Sequence, residues 1–271
     1  MPELPEVETT VRGIRPFVEG RSVSGVIVRQ RRLRWPVSSG LDRKLKGQIV
    51  HSVTRRAKYI LFGFDYGTLM IHLGMSGRLR AIPADTAVAK HDHFDLVLDT
   101  GCCVRLRDPR RFGSVTWVRG DPLDSRYLKY LGPEPFGEAF DGKYLWQRSR
   151  GRRLAVKNFI MDGRIVVGVG NIYASEALFR SAIHPSRAAG RIALDRYHSL
   201  VVAIRAVLAE AIAAGGTTLR DYSRVTGEPG FFEQSLQVYE RLGQPCVSCG
   251  STVRKKVVGQ RASYYCPSCQ H

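Results

Sequence analysis

The chain has 271 residues, room for one large domain or two modest ones, and its 44% hydrophobic content supports proper cores. A formal charge of +18, carried mostly by arginine, suits a polyanionic partner, nucleic acid before an acidic membrane surface. No run approaches the ~18 apolar residues of a membrane span, and the acidic N-terminus lacks the basic-then-apolar order of a secretion signal, so a cytoplasmic protein is expected.

The chain begins Met1-Pro2-Glu3-Leu4-Pro5-Glu6. Trimming of Met1 would leave a free secondary amine on Pro2. An α-amino group titrates near ~8, against ~10.4 for lysine. It is therefore nucleophilic at neutral pH without burial, and its attack on an aldehyde carbon gives an iminium ion. Glu3 and Glu6 place carboxylates beside it, where one could serve as general acid or base. A helix start, with proline and acidic residues in the first turn, explains the same residues without chemistry.

Val7, Val11, Ile14 and Phe17 or Val18 then recur at helical spacing until Gly20. From about 22 to 118 the texture is strand-like. Runs at 23–28, 59–64, 69–73, 94–98 and 113–118 are separated by turns such as Asp65-Tyr66-Gly67 and Asp99-Thr100-Gly101. Many short strands with tight turns predict an antiparallel sandwich or barrel. Cys102 and Cys103 read as buried strand residues. Arg119-Gly120-Asp121-Pro122 and Gly132-Pro133-Glu134-Pro135 mark a hinge. Helices are expected beyond it, at 172–183 and 194–214. The second carries an apolar stripe of Leu200, Ile204, Val207, Leu208 and Ala211 and is closed by Gly215-Gly216. A polar loop is expected from Thr217 to Ser235.

Four cysteines fall in the last 26 residues. Cys246 and Cys249 are separated by sixteen residues from Cys266 and Cys269. Paired CxxC knuckles at this spacing predict one structural zinc, with a closed shell that does no chemistry. Arg254, Lys255, Lys256, Gln260 and Arg261 lie between the knuckles and suit a phosphate backbone, although a solvated face accounts equally for the two lysines. Gly168-Val169-Gly170-Asn171 leads into a helix whose N-terminus can receive a phosphate. Asn171 itself reads more simply as an N-cap. Asp108-Pro109-Arg110-Arg111-Phe112-Gly113 puts arginine beside an aromatic in a turn, a pairing that can meet an orphan base and wedge a base step. His72 and Met75 form a second such candidate. Lys58 reads as a phosphate contact before a nucleophile.

These motifs, in this order, resemble the bacterial formamidopyrimidine-DNA glycosylase family over essentially the whole chain. The markers are Pro2 to Glu6, Arg56-Ala57-Lys58-Tyr59, His72 to Gly77, Lys90-His91-Asp92-His93, Asp108 to Gly113, Gly168 to Tyr173, and the cysteine module with Gln260-Arg261. The resemblance implies an α+β chain: an N-terminal β-sandwich, a helix–two-turn–helix domain and a four-cysteine zinc finger. The expected boundaries are 1–120, a hinge at 121–135, 136–235 and 236–271. It also implies excision of oxidised purines from duplex DNA through a Pro2 Schiff base, followed by β,δ-elimination at the abasic site. Pro2, Glu3, Lys58 and Arg261 are the implied catalytic residues. DNA contacts are implied at Glu6, His72, Met75, His91, Arg110, Phe112, Lys157, Asn171 and Tyr239, with the 217–235 loop as a flap over the base. The expected partner is damaged or abasic duplex DNA, met by a monomer at the nucleoid. A sister class that prefers oxidised pyrimidines and a non-catalytic zinc-dependent nucleic-acid-binding protein are the alternatives.

Overall fold

The computed structural model describes residues 2–216 and 232–271. The chain divides into two compact units, one of Met1–Lys129 with Ala214–Phe231, the other of Tyr130–Ala213 with Phe232–His271.

The first unit is a sandwich of two four-stranded antiparallel sheets. Its elements are α1 (Leu4–Val18), β1 (Val23–Val28), α2 (Leu41–Leu45), β2 (Ser52–Arg56), β3 (Tyr59–Phe64), β4 (Gly67–His72), β5 (Arg78–Pro83), β6 (Asp92–Leu98), β7 (Cys102–Arg107) and β8 (Ser114–Val118). One sheet runs β1-β6-β7-β5 and the other β2-β3-β4-β8, which decides for the sandwich over the barrel. Period-two alternation builds the interior. Ile60, Phe62 and Phe64 point inward from β3, Leu69 and Ile71 from β4, Phe94, Leu96 and Leu98 from β6, Val104 and Leu106 from β7. Helix α1 adds Val7, Val11, Ile14 and Val18 to the same core and touches strands of both sheets. Each such side chain contributes roughly 1.5–3 kcal/mol on burial.

Strands β2, β5 and β7 escape a hydrophobicity reading because arginines interrupt them. The fold accommodates those charges by pairing. Arg105 on β7 is 4% exposed. It donates to both carboxylate oxygens of Asp95 at 2.9 Å and to the Thr86 carbonyl at 2.9 Å. Arg29 reaches Asp95 from the other side at 2.6 Å. Cys103 is buried on β7 and Cys102 half-buried, as expected; burial pushes the Cys103 thiol up to about 11, so it is inert.

The second unit holds α3 (Gly142–Ser149), α4 (Val156–Met161), α5 (Asn171–Arg180), α6 (Leu194–Ala213) and a two-stranded hairpin, β9 (Arg254–Val258) with β10 (Arg261–Tyr265). Helix α6 buries the expected stripe, and Gly215 and Gly216 follow it at φ +79 and +88, the left-handed geometry that suits glycine after a helix. Helix α5 stops earlier than its apolar spacing suggests, because Ala182 turns left-handed at φ +56. Between α4 and α5 the chain makes a hydrogen-bonded turn and is then tied to a distant segment. Ile165 donates back to Asp162 at 2.8 Å, and Val167 bonds the Pro133 carbonyl at 3.2 Å. Of the expected 217–235 loop, residues 217–231 lie outside the described residues, and Phe232–Ser235 forms a 3-10 turn.

Candidate functional site

In the first unit the N-terminal stretch is a buried helix cap. Glu3 is the N-cap of α1 and forms a reciprocal capping box with Glu6. Glu6 Oε2 accepts from the Glu3 N–H at 2.7 Å. Pro2, Glu3 and Glu6 are all buried. The helix-start reading is therefore correct for Glu3 and Glu6, and it fixes the backbone that carries Pro2 rather than competing with chemistry there. Glu6, expected at the DNA, gives one oxygen to the cap. Gly216 lies against it, where an added Cβ would come within 3.2 Å of Glu6 Oε1.

Lys58 sits half-buried in the two-residue turn joining β2 to β3, after Ala57 at φ +55. Tyr59 beside it pairs with His72 on β4, with ring centroids 4.8 Å apart. Burial, together with the Lys58 and Arg34 charges, lowers His72 to about 4. At pH 7 the ring is neutral. Its Nδ1 accepts from the Gly74 N–H at 2.9 Å, so the proton is on Nε2, which becomes a neutral donor. The sign of the linkage follows. With a folded value below the ordinary 6.5, the unfolded chain binds the proton first as pH falls. The stability held by neutral His72 is whole above about pH 6.5 and drains away toward pH 4. Wild type should therefore lose, relative to His72→Gln, on the order of 3 kcal/mol across that window. Denaturant unfolding of both proteins at several pH values checks this; parallel curves would contradict it.

Met75, Arg110 and Phe112 are brought together by two interlocked loops. Asp108 is wholly buried; its Oδ2 accepts from the Gly113 N–H at 2.7 Å and its Oδ1 from the Ser76 hydroxyl at 2.9 Å. Ser76 Oγ accepts in turn from the Arg110 N–H at 3.2 Å. Gly74, at φ +66, packs on the Phe112 backbone so closely that no Cβ would fit. The Phe112 ring, 43% exposed, stands clear of this scaffold with the Arg110 guanidinium 4.9 Å above it. Met75, Phe112, His72, Gly74 and Arg34 line one cavity of about 380 Å³. His91 lies at the edge of this system at φ +76, and its carbonyl accepts from the Asp108 N–H at 3.0 Å.

In the second unit Gly170, not Asn171, is the N-cap of α5, which corrects the simpler reading of Asn171. As first helical residue, Asn171 has its amide nitrogen 3.3 Å from the Tyr239 hydroxyl. Its Oδ1 is buried with no hydrogen-bond partner among the described residues. Tyr239 is placed by Glu176, which the sequence reading missed. Glu176 is fully buried and accepts from the Gln237, Val238 and Tyr239 N–H groups at 2.8 to 3.0 Å. Burial raises its carboxyl above the ordinary range, against those three donors.

The hairpin turns at Gly259 and Gln260, both at positive φ, the two-residue geometry that matches strand twist. Arg261 begins the return strand and is exposed. Lys157, expected as a DNA contact, has no exposed surface. Its ammonium donates to the Ala262 carbonyl at 2.9 Å and the Ser263 hydroxyl at 2.7 Å. It anchors the strand that carries Arg261. Below the hairpin the four cysteine sulfurs lie within 4.8 Å of one another. Cys246 and Cys269 sulfurs are 3.9 Å apart, Cys249 and Cys266 3.5 Å. A tetrahedral zinc with sulfur at about 2.3 Å requires edges of about 3.8 Å, so the four residues fit one structural zinc.

Comparison with known proteins bears on both units. The N-terminal domain of formamidopyrimidine-DNA glycosylase matches residues 1–115. That enzyme's H2TH domain matches residues 131–223, and a zinc finger found in FPG and IleRS matches 243–271. Formamidopyrimidine-DNA glycosylases of Alkalilimnicola ehrlichii and Syntrophotalea carbinolica are 58% and 59% identical, with the whole of each chain covered. The MutM (FPG) protein of Thermus thermophilus superposes with a TM-score of 0.88 at 38% identity, over 99% of this chain and 98% of that one. The Lactococcus lactis Fpg bound to DNA containing an abasic site superposes at 0.92, with 32% identity and 99% of both chains covered. The chain belongs to the formamidopyrimidine-DNA glycosylase family.

Proposed function

We propose that this chain removes oxidised purines from duplex DNA and then cuts the abasic site, with the Pro2 nitrogen as nucleophile. The observation that carries this reading is the preorganised pair of loops presenting Phe112 and Arg110. A base inside a duplex must be extruded before chemistry, at a cost of a few kcal/mol, and a rigid aromatic with a stacked guanidinium fills the gap that extrusion leaves. The relatives' names supply the lesion class. Pro2 attacks C1′ of the damaged nucleotide as the base departs, Glu3 delivers a proton to O4′ so that the C1′–O4′ bond breaks and the sugar ring opens, and the resulting iminium is the electron sink for β- and then δ-elimination. Lys58, His72, Asn171 and Arg261 hold phosphates, with His72 as a neutral donor. The zinc maintains the finger and takes no part in the chemistry. The four functional segments run 1–120, 121–135, 136–235 and 236–271. No described helix is long and apolar enough to cross a membrane, and work at the cytoplasmic nucleoid belongs to this reading.

Two oligonucleotide duplexes test it, one carrying 8-oxoguanine and one an oxidised pyrimidine, each with borohydride present. Faster excision of the purine and a trapped covalent adduct are expected. Preference for the pyrimidine would assign the sister class, and absence of an adduct a binding protein. On the purine duplex Phe112→Ala should slow excision roughly 10- to 100-fold, the equivalent of one to two steps of 1.4 kcal/mol. At a pre-formed abasic site, where unstacking is cheaper, the loss should be far smaller. Equal losses on both substrates would remove the wedge role.

A further inference from the structure

A second basic surface adjoins the loop of Phe112. The segment after β1 contains Arg31, Arg32, Arg34 and Trp35, all exposed, with Leu33 and Val37 anchored in the sandwich core. It folds back on itself through the Val37 N–H to the Arg31 carbonyl at 3.0 Å. The Arg34 N–H donates to the Gly113 carbonyl at 3.0 Å, which seats the segment directly on the turn that carries Phe112. After β8, Arg126 and Tyr127 return to the same place. The Arg126 guanidinium lies 4.8 Å from the Tyr127 ring and 5.9 Å from Trp35, while Arg34 lies 5.7 Å from Trp35 on its own account. The Trp35 and Tyr127 rings are 6.5 Å apart.

Among the described residues none of Arg31, Arg32, Arg34 and Arg126 forms an ion pair with a carboxylate. Two of these like charges, Arg34 and Arg126, thus sit against the rings, with Arg31 and Arg32 exposed on the same segment as Arg34. Their mutual repulsion opposes the compact state, and each exposed cation–π contact returns only about 0.5–1 kcal/mol. Trp35 nevertheless keeps 42% of its surface in water. This arrangement gains little as a stabilising device. It suits an anion: the Trp35 ring holds the Arg34 guanidinium plane, Arg126 gives one N–H to the Tyr127 hydroxyl at 2.7 Å and keeps its others for phosphate oxygens, and Arg31 and Arg32 stand exposed beside them.

We propose that the Arg31–Trp35 segment with Arg126 and Tyr127 is a second DNA-binding surface, which grips the phosphate backbone of one duplex arm beyond the lesion. Continuity supports duplex DNA as the occupant. Arg34 lines the same cavity as His72, Met75 and Phe112, so the surface extends the track of the wedge loops without a break. The proposal rests on the DNA-repair reading above.

Salt titrations on duplexes of two lengths test it. One carries the lesion with about a full helical turn, roughly 10 base pairs, on each side, and the other with about half a turn. Each phosphate contact steepens the log–log salt slope by about 0.9. Wild type should show a slope steeper by about two to three on the long duplex. The exposed triple variant Arg31→Gln, Arg32→Gln, Arg126→Gln should lose that increment and match wild type on the short duplex. Trp35→Ala should lose part of it and Trp35→Phe recover it, which separates the platform from a mere charge count. Thermal unfolding at the wild-type temperature confirms that the variants are folded. A triple variant with wild-type slopes on both duplexes overturns the proposal, as does an equal reduction on both, which would place the arginines at the lesion. A wild type that binds damaged and undamaged duplexes alike would overturn the repair reading instead, and leave the length-dependent slope to be judged separately.

Discussion

Glu3→Gln is expected to release a damaged base about 10²–10⁴-fold more slowly, the usual share of a positioned acid–base group, while still cutting a pre-formed abasic site. The structure makes this substitution a clean one. Glu3 is 2% exposed and closes the capping box of α1. Glutamine keeps a carbonyl oxygen for the Glu6 N–H, so the cap survives and only the titratable proton is lost. Glu3→Ala would confound the test by removing the cap as well, at a cost of about 1 kcal/mol. At an abasic site the base has already gone and the sugar aldehyde opens unaided, so little proton handling remains. Pro2 should behave differently. Its nitrogen forms the covalent bond in both reactions. A retained Met1 or an N-terminal tag should abolish borohydride trapping on damaged and abasic DNA alike. Lys58, set in its β2–β3 turn beside Tyr59, is the rival amine. Lys58→Ala should weaken base excision yet leave trapping at abasic sites intact. Trapping that survives a blocked N-terminus and disappears in Lys58→Ala would assign the nucleophile to Lys58.

Cys249→Ala should abolish measurable DNA binding while the sandwich stays folded. Structural zinc supplies about 10–16 kcal/mol of folding free energy to a finger of this kind, more than a small hairpin can replace. The damage should spread along identifiable contacts. Cys246 and Cys266 share a small core with Phe179 of α5, Val238 and Val253. The Lys157 ammonium would lose the Ala262 and Ser263 oxygens that keep it satisfied in the interior, a penalty of roughly 1–3 kcal/mol or more for a charged group. Loosening should therefore reach α4, the end of α5 and the 237–239 segment held by Glu176. Amide exchange read by mass spectrometry should rise there, and in β9 and β10, and stay at wild-type levels in β3, β4, β6 and β7. Undiminished DNA affinity in the variant, with one zinc bound in wild type, would refute the role assigned to the finger.

Local spacing was enough for much of this protein. Alternating apolar residues named five of the eight sandwich strands, because a pleated strand with one wet face must alternate. The α1 and α6 stripes were readable for the equivalent reason in a helix. The cysteine pairs announced their zinc through chain geometry alone, since a CxxC knuckle presents two sulfurs to one ion. What sequence could not decide was which polar groups go inside, because burial is settled by contacts between distant segments. Arg105 read as a break in a strand pattern until the pairing of β6 with β7 set it opposite Asp95 in the core. Lys157 was expected at the DNA, and only the folding of β10 over α4 placed oxygens around its ammonium. Glu176 gave no signal, being one more acidic residue in a helix until residues 237–239 laid three N–H groups across it. His72 was visible as a candidate, but its neutrality came from burial and from charges on two other segments. Residue type and spacing thus determined the elements and the inventory of reactive groups, while the tertiary structure determined the protonation, burial and partners on which their roles depend.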